Sequence, residues 1–392
     1  MGLHGNPTVI VATLAMGSAL VAVAGIGYLI VAGFLTARFA RRATPGAGNP
    51  NTPAISVLKP LYGREPQLVA NLASFLDQPW PAPIQLIGGV ANADDAAVGA
   101  IAALRDQFPA AHIDLTINRA RHGSNAKISN LANMTPAIRH EIVVLSDSDI
   151  AAPAGYYQHV VDALSAPGVG VVTCLYRGRG DAGFWSELAA AQISYQFLPN
   201  VLVSLALNAG GACMGSTIAL RQDTLQRIGG FARFADVLAD DHAIGVAVRD
   251  LGLSIAVPPI VVVHASTEHS FAALARQELR WAATIRDLRP WGYLGTAITM
   301  PLPFALLCAA IRPGIATIGI VVASLMSRLV LSMQIDRLAG AKTAPYAVMP
   351  LRELLSFGIF IASFFVRTVD WRGNRLAMID DGQISAKPGM PA

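Results

Sequence analysis

Residues 7–35 contain no charged side chain. That run exceeds the roughly 20 residues that an α-helix needs to cross a hydrocarbon core. A cleaved leader would show a basic start and a short apolar core. Here the first basic side chain other than His4 is Arg38, with Arg41 and Arg42 close behind, all after the apolar run. The segment therefore reads as a retained transmembrane anchor. The arginines after it place the downstream chain on the cytoplasmic side.

Composition agrees, with 53% hydrophobic and only 14% charged residues, against roughly 25% charged in a typical soluble domain. The formal net charge is +4, and no Lys/Arg block with interleaved aromatics occurs, so no nucleic-acid partner is expected. Cys174, Cys213 and Cys308 lack metal-ligand spacing and read as reduced, buried thiols.

Charge-poor segments return after Trp291. Residues 293–311 and 314–333 read as two spans joined by Arg312-Pro313, while 354–366 is short for a crossing and could be tilted, re-entrant or interfacial. Arg337 and Lys342 belong in the cytoplasm after two crossings. The same rule keeps Arg367, Arg372 and Arg375 there, in conflict with a third full crossing. Residues 291–367 thus form a C-terminal transmembrane or interfacial region. Residues 368–392 form a cytoplasmic tail, disordered after Asp380.

Between these ends, residues 52–290 alternate short apolar runs with helical patterns. Strands are expected at 55–58, 84–90, 113–117, 142–145 and 169–174, and helices at 66–76, 94–108 and 154–164. Such alternation implies an α/β fold with a parallel or mostly parallel sheet, which binds ligands beyond the carboxyl ends of its strands.

Four points in this domain carry chemistry. The run 142–149 ends a buried-looking strand in Asp147-Ser148-Asp149. Two carboxylates there suit Mg²⁺ or Mn²⁺ already holding phosphate oxygens. A D-x-D alone is common by chance, and its position at a strand end is what singles it out. Asp94 and Asp95 follow the strand 84–90. They either stabilise a helix N-terminus or read the uracil or ribose of a nucleotide, and the two roles are compatible. Asp240 and Asp241 precede a helical stretch and suit either a cap or a general base whose pKa a neighbouring like charge raises. Gln277, Arg280 and Trp281 share one helical face. They offer an amide, a guanidinium for phosphate oxygens and an aromatic platform for a sugar, although an amphipathic interfacial helix would look the same. Lys127, in the run 123–131, could reach a diphosphate or simply lie at the surface.

In this order the motifs resemble the inverting, metal-dependent GT-A glycosyltransferases of the ceramide glucosyltransferase type. They read Lys59-Pro60-Leu61, N-x-K-x-x-N-L at 125–131, Asp94/Asp95, Asp147/Asp149, Asp241 and Q-x-x-R-W at 277–281. The resemblance spans about residues 54–290. The stretches at 171–178 and 278–286 look like the bacterial hopanoid-biosynthesis-associated branch, whose members are understood to transfer N-acetylglucosamine from UDP to a hopanoid polyol. Asn92 stands where that family often has an acid, and Asp240 where Glu is common.

The resemblance implies a Rossmann-like GT-A domain on the cytoplasmic face of the inner membrane of the cell, within a multi-pass protein that takes a UDP-sugar donor and a membrane lipid acceptor. Asp94 and Asp95 would contact the nucleoside, with Asp95 favoured, and Asp147 and Asp149 would hold Mg²⁺ or Mn²⁺. Asp241 would be the catalytic base. Arg280 and Lys127 would stabilise the diphosphate, while Gln277 and Trp281 shape the substrate site. A ceramide acceptor with glucose is the alternative. A processive polysaccharide synthase shares these motifs but usually has a larger helical bundle. A transporter is disfavoured because the charged motif residues lie in the polar domain. A non-catalytic scaffold would show no metal-dependent UDP release.

Overall fold

The computed structural model describes residues 7–42, 52–207 and 213–366, together with three short strands beyond them. Helix α1 (Pro7–Ala40) leads into β1 (Ile55–Pro60), α2 (Leu68–Leu76), β2 (Ile84–Val90), α3 (Ala97–Gln107), β3 (His112–Ile117), α4 (Ala126–Met134), β4 (Ile142–Leu145), β5 (Ile150–Ala151), α5 (Tyr156–Ser165) and β6 (Val169–Val172). There follow β7 (Leu175–Gly180), α6 (Phe184–Gln192), a π-turn at Ile193–Phe197 and α7 (Leu198–Ala206). Next come β8 (Ile218–Arg221), α8 (Gln222–Arg227), α9 (Asp240–Asp250), β9 (Ser254–Ala256) and β10 (Val261–Ser266). The C-terminal part comprises α10 (Phe271–Leu288), α11 (Pro290–Gly295), α12 (Pro301–Ile311), α13 (Ile315–Ala339) and α14 (Met349–Ser363), then β11 (Thr368–Trp371), β12 (Asn374–Met378) and β13 (Ile384–Ala386).

The main sheet has the order β3-β2-β1-β4-β8-β6-β9. Strands β3, β2, β1 and β4 run parallel, but β8 pairs antiparallel with both β4 and β6. The sheet is therefore mixed, not uniformly parallel. Four-residue β8 is too short to announce itself by pattern, and main-chain pairing with β4 fixes it. Side chains on β4 alternate between two cores, as the two-residue period of a strand requires. Ile142 and Val144 join Leu72, Phe75 and Tyr156 on one face, and Val143 and Leu145 join Leu131, Leu225 and Phe231 on the other.

The strand expected at 169–174 stops at Val172. The Thr173 hydroxyl is bonded to both the N–H and the carbonyl of Met214, and the chain then crosses to a second sheet ordered β5-β10-β7. Residue Ile384 pairs with Met378 in an antiparallel strand, so the disorder expected after Asp380 does not hold for β13, which main-chain hydrogen bonding decides.

Helix α1 is apolar around its whole circumference, with Leu14, Leu20, Ile30 and Phe34 all exposed. At 1.5 Å per residue its 34 residues extend about 50 Å. Helix α13 is likewise long and apolar enough to cross a membrane. The span expected at 293–311 is broken: the chain bends by 61° between Pro290–Thr299 and Pro301–Ile311. Met300, at φ −121° and ψ 71°, leaves the helical region because a following proline disfavours it. The break is braced by a buried ion pair. Glu353 accepts the Leu302 N–H (2.8 Å) and pairs with Arg328 (2.8 Å), which in turn donates to the Thr299 carbonyl (2.5 Å).

The last apolar segment begins earlier than hydropathy indicated, because Arg352 and Glu353 fall inside α14 as paired charges. By length and composition Tyr346–Ser363 could cross a membrane, yet both its ends are bonded to α10. Arg352 grips Glu278 near its start, and Arg286 donates to the carbonyls of Ser363 and Val366 at its end. Helix α14 therefore lies alongside α10. Phe39 of α1, Leu202 of α7 and Ile335 of α13 share one further core, which seats the α/β unit on the apolar helices.

Arg352 and Glu278 are 1% and 6% exposed. Removing one partner of such a pair leaves a buried charge and typically costs about 3–5 kcal/mol. Arg352→Met should thus lower the thermal midpoint in detergent markedly, and Arg352→Met with Glu278→Gln should recover much of that loss. Equal midpoints for the single and double variants would show the pair to be energetically idle.

Candidate functional site

A cleft of about 1150 Å³ opens at the carboxyl ends of β1, β2 and β4 and runs to the apolar helices. Its polar end is assembled on the turn after β4. Beneath that turn lies Lys59 of β1, wholly buried, whose ammonium donates to Ser146 Oγ (3.0 Å) and to the carbonyls of Asp147 (3.0 Å) and Ile150 (3.4 Å). The Phe75 ring lies 3.5 Å from it. Burial pushes the Lys59 pKa down to about 7, against the opposing pull of Asp147 and Asp149. The lysine thus holds the backbone of the acidic turn from below.

Lys127 stands in the first turn of α4, which Asn125 caps by accepting the Ile128 N–H. Its ammonium bridges Asp147 (2.8 Å) and Asp240 (3.1 Å). Burial works against that charge, but Asp147, Asp240 and Asp241 outweigh it and raise its pKa. Asp241, at the start of α9, accepts the N–H groups of Gly215 (3.0 Å) and His242 (2.7 Å). Its pKa rises to about 6, through burial first and the neighbouring Asp240 second, with Lys127 pulling the other way. Gly215 lies between the acids: a Cβ there would sit 3.2 Å from Asp147 Oδ2 and 3.6 Å from Asp241 Oδ2. The two carboxylates therefore face one common space.

Asp149 Oδ2 lies 3.4 Å from His264 Nε2, while its other oxygen is buried with no bonding partner. Among the described residues no group of three or more His, Cys, Asp and Glu side chains is gathered to hold a metal ion by itself. The strand-end pair Asp147 and Asp149, with one orphaned oxygen on Asp149, fits a divalent ion that draws its remaining ligands from a diphosphate. Gln277, Arg280 and Trp281 all reach the cleft from α10, whose N-terminus Ser270 caps. Arg280 donates to Gln277 Oε1 (3.1 Å), and the Trp281 ring meets His264 edge-on at 6.1 Å.

Asp94 and Asp95 are not brought to the cleft wall, where Ala91 and Asn92 stand instead. Asp94 is exposed. Asp95 accepts the N–H groups of Gly63 (2.8 Å) and Ala97 (2.9 Å), tying the loop after β1 to the start of α3. Sequence reading gave no role to His264, Tyr176 or Lys59. His264 sits alone in an apolar strand, and only the pairing of His264 with Ile150 across β10 and β5 brings it beside Asp149. Tyr176 stacks on it at 5.7 Å.

Residues 17–384 match the sequence model of Glycosyl transferase family 21. The chain belongs to that family. It is a glycosyltransferase. Ceramide glucosyltransferase 3 of Caenorhabditis elegans is 23% identical over 346 residues, covering 85% of this chain and 74% of that one. The ceramide glucosyltransferase of Komagataella phaffii is 30% identical over 122 residues, covering 30% and 23%. Among solved structures, the mannosyltransferase PcManGT from Pyrobaculum calidifontis, in complex with GDP-Man and Mn²⁺, has a TM-score of 0.50 at 18% identity. It covers 90% of this chain and 98% of that one. That likeness shows the GT-A fold, with its mixed α/β sheet.

For a family 21 glycosyltransferase using ionised Asp241, nucleotide release should fall as pH drops through about 6, where Asp241 takes up a proton. Lys127→Met removes the cation that lowers this pKa, so the acidic limb should move to higher pH. A pH series on both proteins checks it, and a limb that stays in place would separate the two groups.

Proposed function

We propose that this enzyme transfers N-acetylglucosamine from UDP-N-acetylglucosamine to a hydroxyl of a membrane lipid, a hopanoid polyol, with inversion at the anomeric carbon. The carrying observation is the continuity of the cleft, which joins Asp147, Asp149 and Asp241 to Tyr293, Met300, Ile359 and Phe360 on the apolar helices. A polar donor and an apolar acceptor can then meet without leaving the protein. Helix α1, the bent pair between Pro290 and Ile311 and helix α13 would each cross the inner membrane, with the α/β unit and the end of α14 on the cytoplasmic side, as Arg38, Arg41 and Arg42 favour.

In this reading Asp241 draws the proton from the acceptor hydroxyl as its oxygen attacks from the face opposite the departing diphosphate. A carboxylate titrating near 6 stays ionised at neutral pH and is more basic than an ordinary aspartate. Arg280 and Lys127 offset charge on the diphosphate, and Gln277 holds the Arg280 guanidinium. Trp281 forms the aromatic wall for the sugar. Asp95 acts on the nucleoside side indirectly, by tying the loop at Gly63 to the start of α3, and Asp94 takes no part in the cleft. Asp147 and Asp149 would hold Mg²⁺ or Mn²⁺, which supplies Lewis-acid neutralisation of the leaving diphosphate.

A second reading, glucose to ceramide, is favoured by the names of the curated relatives. Purified protein with UDP-N-acetylglucosamine or UDP-glucose, each paired with hopanoid polyol or ceramide, decides between them by mass spectrometry of the lipids. Hexosamine on the hopanoid is the expected product. Hexose on ceramide would move the enzyme to the sphingolipid reading, and a polymer would make it a processive synthase. Chelation should stop transfer. Asp241→Asn should cut transfer by roughly 10²- to 10⁴-fold, the usual worth of a general base, while UDP-sugar binding survives. Near-normal turnover in that variant would remove Asp241 from the mechanism.

A further inference from the structure

We infer that Gln196 and Gln192 form a hydroxyl-reading subsite in the acceptor arm of the cleft, selecting a lipid headgroup that carries further hydroxyls beside the one glycosylated. This rests on the lipid-acceptor reading above and specifies the chemistry of that acceptor.

Gln192, Gln196 and Asn200 recur at four-residue spacing through α6, the π-turn and α7, and all three line the cleft. Asn200 is already engaged, accepting the Tyr28 hydroxyl at 2.7 Å. The two glutamines are not satisfied. Gln196 is 7% exposed, and its Nε2 is buried with no hydrogen-bond partner. Gln192 Oε1 is likewise buried and unbonded.

The orientation of the Gln196 amide follows from its neighbours. Arg352 has only donors, and it gives two of them, Nε (3.1 Å) and Nη2 (2.9 Å), to Ser356 Oγ. Both lone pairs of that hydroxyl are then used, so its single hydrogen goes to Gln196 Oε1. Turning the amide over would set a third donor against the same oxygen and leave the hydroxyl hydrogen unbonded. Gln196 Nε2 is thereby held as a free donor, and Glu278 fixes the guanidinium that enforces this.

An unmade hydrogen bond at a buried amide is costly, and a hydrocarbon tail in the cleft would leave both amides unmet. A second hydroxyl on the acceptor satisfies both needs, because it accepts from Gln196 Nε2 and donates to Gln192 Oε1. The location suits that task. Phe197, next in the chain, packs on Tyr176 at 4.9 Å, and Tyr176 stacks on His264. The π-turn that carries Gln196 is thus linked through two rings to His264 beside Asp149. π-turns are frequent at functional sites.

The test uses the full-length protein in detergent with UDP-N-acetylglucosamine and, in parallel, UDP-glucose. On whichever lipid skeleton wild type glycosylates, a polyol is compared with its single-hydroxyl analogue. Wild type should favour the polyol in kcat/KM, and Gln196→Leu should reduce that preference about tenfold, mainly through the KM of the polyol. Gln192→Leu lies outside the Arg352–Ser356 chain and should act in the same direction, which guards against a folding artefact, as does UDP binding by calorimetry. Unchanged preference in both variants, with UDP binding intact, overturns the subsite. Absence of any lipid product from wild type overturns the acceptor reading itself, and the subsite with it.

Discussion

The bidentate contact between Arg352 and Glu278 ties three parts of the molecule together. Both groups are buried, so neither charge is tolerable without the other. Glu278 lies on α10 between Gln277 and Arg280, which face the cleft, and Arg352 lies on α14 among apolar helices. The pair therefore fixes the angle at which α10 presents Arg280 and Trp281. The same guanidinium reaches Ser356 and through it Gln196, so one ion pair aligns both walls of the cleft.

At the polar end the problem is an excess of negative charge. Asp147, Asp149, Asp240 and Asp241 converge on the cleft, and like charges so placed resist ionisation together. Lys127 offsets part of that repulsion by bridging Asp147 and Asp240. Lys59 stabilises the turn through its backbone, leaving Asp149 Oδ1 unbonded. The pKa of Asp241 is raised to about 6, by burial first and by the neighbouring Asp240 second.

Much of this was legible in the chain. Lys127, Asp147, Asp149, Asp241, Gln277, Arg280 and Trp281 all line one cleft, because the first four sit at strand ends or helix starts and the last three share one face midway along α10. Asp95 shows the limit. An acid after a strand reads equally as ligand or cap, and its carboxylate proves to be engaged by two backbone N–H groups. The start of α14 escaped a hydropathy reading because Arg352 and Glu353 look like a helix flank until their partners are known.

The sequence by itself determined the long apolar first helix, the strand–helix alternation and the acidic turn after β4, since these depend on side-chain periodicity and short-range spacing. Only the tertiary structure decided the antiparallel insertion of β8, the bend at Met300, the course of α14 beside α10 and the meeting of His264 with Asp149. Each of these rests on hydrogen bonds or ion pairs between residues distant in the chain, and single-sequence pattern carries no record of such pairings.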